Sequence, residues 1–117
     1  MDRDEMRDRT KKFALRIVRL ASTPPASRVG DVLGRQILKS GTSIAANHAE
    51  ALRASSKRRF ISILEISSRE AAETLYWLEL LTQSGTIKAE LLTELTDECS
   101  QLVAILTATG RTAKRNK

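Results

Sequence analysis

The sequence predicts an all-α fold, an antiparallel up-down-up-down four-helix bundle, on three observations. Apolar residues recur at three- and four-residue spacing, and no stretch shows the β-branched alternation of a strand. The breakers are few: both prolines sit in "STPPAS", 22–27, and the next turn signal is "QSGT", 83–86. A chain of 117 residues fits one domain, 1–117, able to bury a core without staples.

The first helix is expected over 4–21, where Met6, Phe13, Ile17, Leu20 and Ala21 share one stripe. After the prolines, 29–82 as one helix would be about 80 Å long at about 1.5 Å per residue, too long for a domain of this size, so it must fold back. The hinge is placed at "RASSK", 53–57, where Ser55 or Ser56 can cap the next helix with its hydroxyl. That divides the segment into helices at about 29–54 and 57–83.

In the second helix, Leu33, Ile37, Gly41, Ile44, His48 and Leu52 share a face, which puts the chain's one histidine inside an apolar stripe. Gly34, Gly41, Ala45 and Ala49 form a ridge of small residues beside it, suited to close helix approach. The third helix has two stripes. Phe60, Leu64, Ala71, Leu75 and Leu78 make one, and Ile63, Ile66, Trp77 and Leu81 make the other. The apolar face is then about 180° wide. Either the helix is sunk between its neighbors, or the second stripe is buried against another subunit. The fourth helix, expected over 88–109, carries Leu91, Leu92, Leu95, Cys99, Leu102, Val103 and Leu106, and a flexible basic tail is expected over 110–117.

Candidate chemistry is sparse. A single histidine cannot build the paired Glu-x-x-His sites of di-iron bundles, and no glycine-rich phosphate loop or cysteine-pair metal spacing is present. His48 reads as a hydrogen-bonded structural or interface residue, and Cys99 as a core residue that makes a poor nucleophile. Glu70, near Ile66 and Trp77, calls for a partner in a packed interface. No catalytic, metal or cofactor site is expected, and the protein is expected not to be an enzyme. One cysteine forms no internal disulfide, the apolar runs are too short to span a membrane, and "MDRDEMRDRTKK" is unlike a signal peptide, so a cytoplasmic location is expected.

Charge placement is more informative than the net charge of +6. In the up-down-up-down arrangement one pole collects Arg3, Arg7, Arg9, Lys11 and Lys12, then Arg53, Lys57, Arg58 and Arg59, then Arg111, Lys114, Arg115 and Lys117. Asp2, Asp4, Glu5, Asp8 and Glu50 are the acids nearby, whereas most acids fall in 65–98. Such a pole suits binding to phosphate backbones by counterion release, with low sequence specificity, because aromatics for base stacking are scarce there. The sites expected to bind RNA or DNA are Arg53, Lys57, Arg58, Arg59, Arg7, Lys11, Lys12, Arg111, Lys114 and Arg115. The alternative is an oligomeric protein–protein adaptor that uses the acidic surface.

"GRQILKSGTSIAANHAEALRASSKRRFISILEISSREAAETLYWLELL", 34–81, carries the motifs S-G-T-S-I-x-A-N and E-A-x-E-T-x-Y-W-L-E-L-L. On these the chain resembles the four-helix bundle protein family encoded in intervening sequences of bacterial 23S ribosomal RNA genes. Members resemble in fold the accessory protein of diversity-generating retroelements and form barrel-shaped homopentamers. The resemblance implies a homopentamer with its subunit interface on the second stripe, for which Ile63, Ile66, Glu70, Trp77 and His48 are the candidates. His48 and Ala49 stand where relatives often carry an aromatic or aliphatic residue and a polar one.

Overall fold

The computed structural model describes residues 2–116. Four helices account for nearly all of them: α1 (Arg3–Ser22), α2 (Arg28–Leu52), α3 (Lys57–Gln83) and α4 (Ala89–Arg115). Among the described residues there is no strand. Three helices start at a side-chain cap, which supplies an acceptor to an amide left without a partner inside the helix. Asp2 Oδ1 accepts from the Glu5 amide at 2.8 Å, Ser27 Oγ from Gly30 at 3.0 Å, and Ser56 Oγ from Arg59 at 3.2 Å. Of the two serines at the hinge, Ser56 is therefore the cap. α3 stops at Gly85, whose φ of +72° lets the Thr86 amide turn back onto the Leu81 carbonyl at 3.1 Å.

α4 departs from expectation. It continues through Gly110 to Arg115 instead of ending at 109, so 110–115 is helix and not a loose tail. Lys114 and Arg115 in its last turn complement the negative end of the helix, and Lys114 Nζ sits 2.8 Å from Glu65 Oε1 of α3. Lys117, counted with the basic pole in the sequence, lies outside the described residues.

The packing partners run in opposite numerical order along successive helices. Ser40 and Ile44 of α2 meet Thr74 and Ser67 of α3, and Ala71, Ser68 and Glu65 of α3 meet Cys99, Thr107 and Lys114 of α4. The helices form an elongated body of 49 × 19 × 19 Å around one core that includes Phe13, Ile17, Ile37, Ile44, Leu64, Leu78, Leu102 and Leu106, all nearly inaccessible to solvent. Each such side chain contributes about 1.5–3 kcal/mol relative to exposure.

Only one glycine of the expected small-residue ridge marks a close approach. A Cβ on Gly41 would stand 2.8 Å from Ile17 Cγ1 of α1, whereas one on Gly34 would meet nothing within 4 Å. α3 packs against both α2 and α4, and this accounts for much of its wide apolar face. Ile63 and Leu81 of the second stripe are buried in the chain's own core, while Ile66 and Trp77 stay half-exposed. His48 is also interior, with 4% of its surface exposed. Ile63 and His48, both candidates for a subunit interface, are thus placed largely within the chain's own core. Leu91, placed on the core stripe of the fourth helix, is instead 73% exposed, because it lies in the first turn of α4 on the outward side.

Candidate nucleic-acid interface

The turn between α2 and α3 builds the center of the basic pole. α2 ends at Leu52, and the amides of Arg53 and Ala54 close the turn on the carbonyls of Glu50 and Ala51 at 3.0 and 3.1 Å. Ser56 then starts α3, and Lys57, Arg58 and Arg59 follow at once, all exposed. The other helices carry acids in their first turns, Asp4 and Glu5 in α1, Asp31 in α2 and Glu90 in α4, whereas α3 carries none. Three cations therefore stand at the positive end of α3, an arrangement that opposes its dipole.

The other helix ends meet this turn. The Arg3 guanidinium of α1 lies over the Phe60 ring, 5.2 Å from its center. Arg3, Leu52, Lys57, Phe60, Ala113 and Asn116 contribute to the lining of one open cleft of about 520 Å3, which brings together the start of α1, the end of α2, the start of α3 and the end of α4. Arg53 and Arg59 line a neighboring cleft with Glu50 and Ile63, and Arg111 and Lys114 a third with Glu65 and Arg69.

The structure sorts the expected cations by what already neutralizes them. Arg9 donates from Nε and Nη2 to both Glu98 oxygens at 2.7 and 2.8 Å and from Nη2 to Gln101 at 2.6 Å, which clamps α1 to α4. Its pKa is raised by the hydrogen-bonded Glu98 carboxylate. Arg7 pairs with Asp4 at 3.0 Å. Lys114 pairs with Glu65, and its hydrogen bond holds that carboxyl below its ordinary pKa. Among the described residues, Arg3, Lys11, Lys12, Arg53, Lys57, Arg58, Arg59, Arg111 and Arg115 have no carboxylate at ion-pair distance. Lys11 and Lys12 are exposed roughly 12 Å along α1 from Arg3, so they extend the charge down a flank. The Arg9 clamp and the Arg3–Phe60 contact left no signal in the sequence, because both join residues far apart in it.

The groups considered for chemistry are placed as follows. His48 Nδ1, on a residue expected to be hydrogen-bonded, has no hydrogen-bond partner among the described residues, and burial followed by the fields of Arg3 and Arg7 lowers its pKa. The Cys99 thiol is buried, sits 3.4 Å from the Ala71 carbonyl, and is pushed up to about 12 by burial. Glu70 is partly buried and its pKa is raised by desolvation and by Glu73, with Lys39 and Arg69 opposing. Trp77 Nε1 donates to Glu73, not Glu70, at 3.2 Å. Among the described residues no three His, Cys, Asp or Glu side chains gather as metal ligands would, and no helix is long and apolar enough to cross a membrane.

Comparison with known proteins gives a family and a close structural relative. A family model described as 23S rRNA-intervening sequence protein matches residues 4–108. A solved structure, described as a protein with unknown function from the S23 ribosomal protein family of Bacteroides thetaiotaomicron VPI-5482, is 36% identical with a TM-score of 0.87, and the match covers 95% of this chain and 99% of that one. No curated protein matches.

Proposed function

The chain belongs to the 23S rRNA-intervening sequence protein family, and from that premise we propose that it is a non-catalytic, oligomeric protein that binds structured RNA or duplex DNA through its basic pole with low sequence specificity. The observation that carries this reading is the meeting of four helix ends around Arg3, Arg53, Lys57, Arg58 and Arg59 with no carboxylate in ion-pair reach among the described residues. Cations left without internal partners release condensed counterions when they meet phosphates. Arg9 and Lys114 are structural ties in this reading, whereas Lys11, Lys12, Arg111 and Arg115 widen the field around the pole.

The bundle is antiparallel and up-down-up-down, a topology supported by the opposed order of the Ser40–Thr74, Ile44–Ser67 and Ala71–Cys99 contacts. Oligomerization, in the pentameric form the family resemblance implies, uses the half-exposed Ile66, Glu70 and Trp77 with the exposed Tyr76 beside them. Light scattering at micromolar concentration should give a multiple of 13.0 kDa, and a 13.0 kDa particle would refute the oligomer. The protein works in the cytoplasm without metal or cofactor.

Titrating structured RNA and duplex DNA at several salt concentrations tests the binding. Log affinity should fall linearly with log salt, and neutralizing Arg53, Lys57, Arg58 and Arg59 together should flatten the slope by roughly one unit for each phosphate no longer engaged. Neutralizing Arg28 and Lys88 should change little. Absence of binding at low salt, or equal damage from the control, would transfer the function to the protein–protein adaptor reading, which has the exposed Leu91 between Glu90 and Glu94 on α4 in its favor.

A further inference from the structure

We propose that the cleft where the four helix ends meet is a seat for one phosphate group of a nucleic-acid strand, held by Arg3 and Lys57. The proposal rests on the reading of the pole as a nucleic-acid surface and goes beyond it by naming the place where a phosphate is fixed.

Four observations carry it. Among the described residues this cleft has no carboxylate in its lining, whereas the two neighboring clefts each contain one, Glu50 and Glu65, and a cleft at the other pole contains Glu79 and Asp97. Arg3 is left free by the local geometry: Asp2 is spent on the Glu5 amide and Asp4 on Arg7, while the Phe60 ring supports the Arg3 guanidinium. An arginine already propped against an aromatic face loses less side-chain freedom when it engages an anion. The third observation is Lys57, which enters the cleft from the start of α3, a helix start with no acid to offset it. Two cations from α1 and α3 thus face one cavity that has no counter-charge among the described residues. Finally, His48, one turn before Leu52 in the cleft lining, is buried with Nδ1 unpartnered among the described residues and lies in the field of Arg3. An anion on Arg3 would weaken that field, so the chain's one histidine reports on occupancy.

The test uses the full chain and inorganic pyrophosphate, followed by the single histidine resonance. Wild-type protein should bind pyrophosphate saturably, with the His48 pKa rising as the cleft fills. Arg3→Gln and Lys57→Gln should each weaken that binding roughly tenfold while thermal melting stays unchanged. RNA oligonucleotides with and without a 5′-phosphate identify the source: tighter binding of the phosphorylated strand marks a terminal phosphate, and equal binding that still depends on Arg3 and Lys57 marks an internal phosphodiester. Either result supports the seat. Failure of pyrophosphate to saturate, or RNA and pyrophosphate affinities indifferent to Arg3→Gln and Lys57→Gln, overturns it. If RNA binding is nevertheless abolished when Arg53, Arg58 and Arg59 are neutralized, the broader nucleic-acid reading stands without the seat. Pyrophosphate binding without any RNA binding would retain the seat as an anion site and overturn its assignment to nucleic acid.

Discussion

Halfway along the bundle, Thr74, Ser67 and Cys99 each donate to a partner inside the chain, at 2.9, 2.8 and 3.4 Å. At the end where α1 and α3 begin, Arg3, Lys57, Arg58 and Arg59 have no carboxylate in ion-pair reach among the described residues. The two regions differ in what an unsatisfied group would cost. In the interior a polar atom without a partner forfeits its hydration, about 1–3 kcal/mol, so the waist has to close every bond it can and thereby fixes the register of α2, α3 and α4. At the surface water solvates a spare cation, so a mutually repelling cluster costs the fold little. In the first turn of α3 a local rule of helix construction is broken, since cations stand there with no acid.

The largest expected effect belongs to the waist. Gly41→Ala should destabilize the protein by about 1–3 kcal/mol, because the new methyl meets Ile17 at 2.8 Å and Ile17 is fully buried, so neither side can yield. Chemical denaturation measures this, and a more stable variant would mean that α1 can move away. Next is Thr74→Val, expected to lose about 1 kcal/mol, since the Ser40 hydroxyl loses its donor, with much of the loss recovered in the double variant carrying Ser40→Ala. Full additivity of the two would dissolve the idea that this pair sets register. Gly34→Ala should do the reverse of Gly41→Ala and gain about 0.5–1 kcal/mol, because the Cβ meets nothing and the helix loses a flexible residue.

His48 joins the two regions, and its effect is read from pH. Burial, with Arg3 and Arg7, lowers its pKa from the ordinary 6.5, so the unfolded chain takes up a proton there more readily than the folded one. The stability it supports is whole above 6.5 and is lost as pH falls through 6.5 toward the folded value. The stability difference between wild type and His48→Gln should therefore change over that interval and be flat at more alkaline pH. A flat difference throughout would mean that the imidazole finds a proton acceptor when charged.

Much of the waist and the pole was legible in the sequence, for reasons that differ by residue. The start of α3 was marked by the capping serines at 55 and 56, and the cations of 53–59 are consecutive enough to share one end in any arrangement that folds α2 back on α3. The end of α4 was misjudged because Gly110 resembles a stop signal, yet Lys114 gains Glu65 by continuing the helix. Whether the second stripe of α3 faced its own neighbors or another subunit stayed open in the sequence, because periodicity gives the width of an apolar face but not how many neighbors share it; α3 has two, and Ile63 and Leu81 are buried among them. The pairings of Arg9 with Glu98 and of Lys114 with Glu65, which decide the cations still free to bind, join different helices and carry no local signature.

The central claim is that the charges of the pole are held for a partner and not for the fold. It is tested most directly by one variant, Arg53→Gln, Lys57→Gln, Arg58→Gln and Arg59→Gln combined, with melting temperature and structured-RNA affinity measured on the same low-salt sample. The account predicts a melting temperature equal to or slightly above wild type, because repulsion at the positive end of α3 is relieved, together with an affinity reduced by roughly tenfold or more. A melting temperature several degrees lower with RNA affinity unchanged would contradict it.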